Sequence, residues 1–83
     1  MSEAHVQVTL KKSILDPQGS AVEKALRQMG YPVDAVRVGK FMEIRIADGL
    51  SRTEQREALE EICRKVLSNP VIEEYTFSLE DQP

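Results

Sequence analysis

Ile14-Leu15-Asp16-Pro17-Gln18-Gly19 decides how this chain is read. Asp16 can accept hydrogen bonds from the free amides of a first helical turn. Pro17 suits the first helical position, where no N–H is needed. Just before this stretch, His5-Val6-Gln7-Val8-Thr9-Leu10 alternates: Val6, Val8 and Leu10 face one way, His5, Gln7 and Thr9 the other. That period marks a half-buried strand. After it, Ala21, Val22, Ala25, Leu26 and Met29 recur at helical spacing and form one apolar face. Ser20 and Glu23 offer a second capping box, so a slightly later helix start stays open. Gly30 is placed to end the helix in the left-handed conformation, and Tyr31-Pro32 forbids its continuation.

Residues 33–48 are predicted to hold two strands. Val36 and Val38 alternate with Ala35 and Arg37, and Met42, Ile44 and Ile46 alternate with Phe41, Glu43 and Arg45. Gly39-Lys40 lies between them, and glycine supplies the positive φ that two-residue hairpin loops need. Ser51-Arg52-Thr53-Glu54 is a capping box. A second helix follows, with Ala58, Leu59, Ile62, Cys63, Val66 and Leu67 on its apolar face, and Asn69-Pro70 stops it. The last strand is predicted over Ile72–Glu80, with Asp81-Gln82-Pro83 as a frayed tail.

The expected fold class is α+β: one domain over residues 1–83, in the order β-α-β-β-α-β. It is a two-layer sandwich of ferredoxin-like connectivity, an antiparallel sheet with two helices on one face. The other face would carry His5, Gln7, Thr9, Arg37, Phe41, Glu43, Arg45, Glu74 and Thr76, a polar surface suited to water or to a partner.

A chain of 83 residues builds a small core, worth about 3–5 kcal/mol net. Cys63 is the only cysteine, so no internal disulfide can form, and His5 with Cys63 offers too few ligands for a structural zinc. Oligomerisation is the remaining source of stability. The net charge of −3, with charges interspersed, argues against a nucleic-acid footprint. No apolar run is long enough to span a membrane. Met1-Ser2-Glu3-Ala4-His5 lacks the basic start of a signal peptide, and a lone cysteine fits a reducing compartment, so the expected location is cytoplasmic.

No catalytic constellation is visible. Cys63 belongs to the apolar face of a helix, and a buried thiol is inert. His5 reads as a surface or interface histidine, with no nucleophile elbow to accompany it. The glutamates of the second helix alternate with basic residues as a solvated face. Glu73-Glu74 reads as a deterrent to edge pairing. No Walker motif or dinucleotide fingerprint is present, so no cofactor and no metal are expected.

Several segments taken together resemble the PurS family, small subunits of phosphoribosylformylglycinamidine synthase. They are Val6–Lys11, the Ile14–Gly19 helix start, the Leu26-x-x-x-Gly30-Tyr31 helix end, Val36-Arg37-Val38-Gly39-Lys40 followed by Glu43, and the run from Cys63 to Glu73. The resemblance implies a non-catalytic subunit at the fourth step of purine biosynthesis. There a glutaminase subunit (PurQ) releases ammonia and a synthetase subunit (PurL) uses ATP and that ammonia. It implies a homodimer, with a tetramer left open, set between the other two subunits and helping ammonia across. The expected docking surfaces are the helix start (Asp16, Pro17, Gln18, Gly19) and the strand–turn–strand segment (Arg37, Gly39, Lys40, Glu43, Arg45). The final strand is a candidate to cross to a partner sheet at Asn69-Pro70. Two other classes fit the expected fold: a regulatory small-molecule-binding domain, and an acylphosphatase-like hydrolase. The hydrolase wants a water-orienting amide, and the only asparagine, Asn69, sits beside a helix-ending proline.

Overall fold

The computed structural model describes residues 2–81. The elements run β1 (Ser2–Leu10), α1 (Pro17–Gln28), β2 (Gly39–Ile46), α2 (Arg52–Ile62), a π-helical turn (Cys63–Leu67) and β3 (Glu73–Asp81). Among the described residues the sheet has three strands in the order β2-β1-β3, both neighbours antiparallel to β1. The α+β class and the antiparallel sheet hold, but the strand count does not. The predicted hairpin is absent: Val36 and Val38 lie outside the sheet, and Gly39-Lys40 opens β2 instead of turning between two strands. Gly39 does not have a positive φ. It is needed for closeness, since a Cβ there would lie 2.4 Å from the Val8 carbonyl oxygen. The last strand pairs with β1 of its own chain from Glu73 to Asp81. Asp81 belongs to β3, while Gln82 and Pro83 of the predicted tail lie outside the described residues.

The register explains the two faces. Val6 sits opposite Met42 and Phe77, and Ala4 opposite Ile44 and Leu79, so the apolar alternation of all three strands falls on one face. α2 covers it. Leu59 and Cys63 are fully buried with Ala4, Val6 and Val8, and Met42, Ile44, Leu67, Tyr75 and Phe77 pack around this cluster. The capping box forms as predicted: the Glu54 N–H donates to Ser51 Oγ (3.2 Å) and the Ser51 N–H to Glu54 Oε1 (3.0 Å). Tyr75 O–H donates to Glu60 (2.8 Å) and Arg52 donates to the Leu79 carbonyl (3.4 Å), tying α2 to β3 at both ends. Val66 was expected on the buried stripe and is 74% exposed. A π turn holds more residues than an α turn, so Leu67 and Ser68, not Val66, follow Cys63 on the sheet side. The Ser68 N–H and O–H both donate to the Cys63 carbonyl there.

α1 departs furthest from expectation. It starts at Pro17 with Asp16 as N-cap, and not at the later box. It ends in a Schellman motif, Tyr31 N–H to the Leu26 carbonyl and Gly30 N–H to Arg27, with Gly30 at φ 91°. Its only buried residue is Gly19. Ser20, Glu23 and Leu26 are half-buried, whereas Ala21, Val22, Ala25 and Met29, the face expected to bury, are exposed. Arg27 ties the helix to the chain that follows, donating to the carbonyls of Val33 and Asp34 at 2.8 Å. Helix and returning segment form an arm. The radius of gyration is 16.3 Å, against about 12 Å for a compact chain of this length.

Leu59→Ala should lower unfolding free energy by about 2–5 kcal/mol in a urea titration, since Leu59 is fully enclosed between α2 and the sheet.

Candidate functional site: the junction of the arm and the sheet

The chain turns out of β1 at Lys11 and re-forms as a helix at Pro17, six residues later in number, so the start of α1 must pass close to the start of β2. One carboxylate joins them. The Gly19 N–H donates to Asp16 Oδ1 (2.9 Å), and the Val38 N–H donates to Asp16 Oδ2 (2.8 Å). These backbone bonds, Gly19 first, hold the Asp16 carboxyl below its usual range, and Arg37 adds to the effect. Gly19 is tight against the same segment, because a Cβ would sit 2.3 Å from the Val36 carbonyl oxygen.

Two ionic straps cross the end of β1, one on each face. On the polar face the Arg37 guanidinium donates to Thr9 Oγ1 (3.0 Å), to the Leu10 carbonyl and to Glu74 (3.1 Å). On the helix-covered face Lys40 reaches Glu73 at 4.0 Å. Both pairs are partly exposed, so they contribute modestly to stability, and their main effect is to fix geometry. Glu73 and Glu74 point to opposite faces and serve these straps. Thr9, Val38 and both glutamates were missed as members of the site. Alternation alone could have placed Glu74 beside Thr9.

Between these groups lies a cavity of about 320 Å³. Asp16, Pro17 and Gln18 line it from the helix start, Val38, Gly39 and Lys40 from β2, and Glu73 from β3, with the end of β1 as floor. The helix start and the Gly39-Lys40 segment, both expected as docking surfaces, thus meet in one place. Gly19 and Arg37 do not line it, and Arg37 stands on the polar face of β1. Glu43 and Arg45 are not brought to the cavity. They lie along β2 on the polar face, opposite His5 and Glu3. His5 is on that face too, its ring tilted against Phe41 at 5.6 Å between centroids.

The junction offers shape and hydrogen bonding but no nucleophile or free base. Asp16 has both oxygens occupied, Lys40 faces Glu73, and the Thr9 hydroxyl is engaged by Arg37. Cys63 is remote in the core, where burial and the Glu60 charge push its thiol up. Among the described residues no three His, Cys, Asp or Glu side chains gather as metal ligands, and no helix is long and apolar enough to cross a membrane.

The family model for PurS, phosphoribosylformylglycinamidine (FGAM) synthase, matches residues 3–81. The chain is 45% identical over 82 residues to the phosphoribosylformylglycinamidine synthase subunit PurS of Bacillus subtilis (strain 168), covering 98% of this chain and 95% of that one. This chain belongs to the PurS family. Its fold matches the crystal structure of Methanocaldococcus jannaschii PurS with a TM-score of 0.86 at 33% identity, over the whole of both chains. That protein is described as one of the subunits of formylglycinamide ribonucleotide amidotransferase in the purine biosynthetic pathway. A chain in the structure of PurLQS from Thermotoga maritima matches with a TM-score of 0.75 at 25% identity, over 95% of this chain and 98% of that one. The PurS assignment favours the synthase-subunit expectation over the regulatory and hydrolase readings.

Asp16 gives a pH signature. Its folded-state pKa is lowered, so its stabilising contribution is complete above the ordinary aspartate value of about 3.9 and is lost as pH falls through the lower folded value. Melting temperature followed from pH 7 down to about pH 3 should fall less steeply in Asp16→Asn than in the parent chain. An equal slope would show that the two backbone bonds do not hold the carboxylate in solution.

Proposed function

We propose that this chain is the non-catalytic bracket of a phosphoribosylformylglycinamidine synthase assembly, holding a PurQ-type glutaminase and a PurL-type synthetase in register for ammonia transfer. The carrying observation is the likeness to a chain within PurLQS, joined to a site built from backbone-fixing residues with no reactive group. Ammonia released into water is protonated and diluted, so its transfer needs active sites docked together. A domain whose turns are fixed by Asp16, Gly19 and Gly39 presents a preorganised surface at little entropic cost. The proposed docking residues are Asp16, Pro17, Gln18 and Gly19 at the helix start, Gly39 and Lys40 at the cavity, and Arg37, Glu43 and Arg45 on the polar face. Residues 1–83 act as one unit, in the cytoplasm where purine synthesis supplies the substrates.

The reading includes a homodimer, with the exposed face of α1 covered by a second copy. Val22 and Met29 stand 42% and 69% exposed on a helix of an extended molecule. In the chain's own sheet, Met42, Ile44 and Ile46 of β2 are only half-buried. The hairpin that would fold the arm back over them is opened out. The uncovered face of the arm and the half-buried residues of β2 are both apolar, so each can cover the other across a pair of copies. Light scattering should give twice the 9.4 kDa chain mass. Val22→Glu with Met29→Glu, harmless on a solvated helix, should return it to the mass of one chain.

Mixing the glutaminase and synthetase with and without this chain tests the coupling role. Product formed from glutamine should depend on the chain far more than product formed from ammonium salt. Lys40→Ala and Arg45→Ala, both at exposed positions, should weaken glutamine-driven synthesis with little change in melting temperature. Equal dependence on the chain with either nitrogen source would refute the bracket.

A further inference from the structure

The arm carries its apolar face along a 12-residue helix whose only buried residue, Gly19, lies in its first turn, while the Arg27 bonds near its far end stay within the arm. Direction at that turn is therefore amplified along the helix, at about 1.5 Å of rise per residue. We propose that Asp16 is a positioning residue whose carboxylate, bridging the Gly19 and Val38 amides, sets the angle at which α1 leaves the sheet and so presents the arm to the second copy. This rests on the dimer reading given above and specifies how the chain holds itself ready for it.

The two bonds have separable roles. The bond from Gly19 caps the helix, a task that serine performs about as well as aspartate. The bond from Val38 does nothing for the helix; it ties the cap to the segment leading into β2. Serine has one side-chain oxygen, so Asp16→Ser keeps the cap and releases the tie. Gly19 guards the same angle from the other side. A Cβ added to it would lie 2.3 Å from the Val36 carbonyl oxygen, so the methyl meets backbone, which cannot swing aside as a side chain would. Lys11, Lys12 and Arg37 surround the outer side of the junction, and Arg37 is itself anchored on β1 and Glu74. The base against which the arm is set is thus fixed to the sheet.

An arm free to sample several directions binds in proportion to the fraction of time it spends in the productive one. If that fraction falls to about one in ten, the dimer dissociation constant rises about tenfold. The test uses the full chain with three measurements. Circular dichroism checks that Asp16→Ser and Gly19→Ala retain their helices. Sedimentation gives the dimer dissociation constant. Spin-label distances between Gln28→Cys and Glu57→Cys, on a Cys63→Ala background diluted with unlabelled chain, read the arm's direction within one protomer.

The expected result is a narrow distance distribution in the parent chain that broadens in Asp16→Ser and shifts in Gly19→Ala. Both variants should dimerise about tenfold more weakly with helix content unchanged. An unchanged distribution in Asp16→Ser overturns the proposal whether or not the chain dimerises. A broadened distribution with unaltered dimerisation also overturns it, since the angle then does not matter to the second copy. A parent chain that stays monomeric, with the distribution still broadening, overturns the dimer reading and leaves Asp16 as the residue that sets the arm.

Discussion

β1 is paired along both edges, with β2 on one side and β3 on the other, and every other placement follows from that. Because both pairings are antiparallel and in register with its alternation, the two neighbouring strands must turn their apolar residues to the same side as Val6 and Val8. α2 then has one surface on which to lie. The end of β1 also becomes the point where the chain leaves for the arm, where it returns into β2, and where β3 begins. Glu73, Glu74, Arg37 and Lys40 are brought together there although they are far apart in sequence. The straps they form belong to the crowding of three chain passages around one strand end.

The parts legible in the sequence were those governed by local chemistry. The Asp16-Pro17 start, the Gly30 end, the Ser51–Glu54 box and the alternation of the strands all depend on neighbours within a few residues. They lie where the sequence places them. The hairpin was misread because Gly39 has two physical uses. The turn reading took its freedom at positive φ, while the fold uses its lack of a side chain, which lets β2 pass close to Val8 and Thr9. Periodicity cannot separate these uses.

The apolar face of α1 was misread for a related reason. Spacing tells that Val22, Ala25 and Met29 share a side, but it does not say which surface covers them. The assumption that a helix must cover its own sheet gave the expected sandwich. The site was half visible: its two stretches were picked out, while the tie from Asp16 to the Val38 amide spans 22 positions and has no sequence signature. Family membership supplied the function, and the geometry explains why a chain with so little reactive chemistry can serve it. Its ordered polar groups are spent on fixing backbone, which is what a subunit acting through shape requires.

Cys63 completes the floor of the core with its sulfur fully enclosed. A thiol so sealed cannot be alkylated, nor can it join two chains by a disulfide, until α2 lifts away from the strands. Its rate of reaction with a maleimide is therefore a clock for how often that layer opens, kept by the molecule without any added probe.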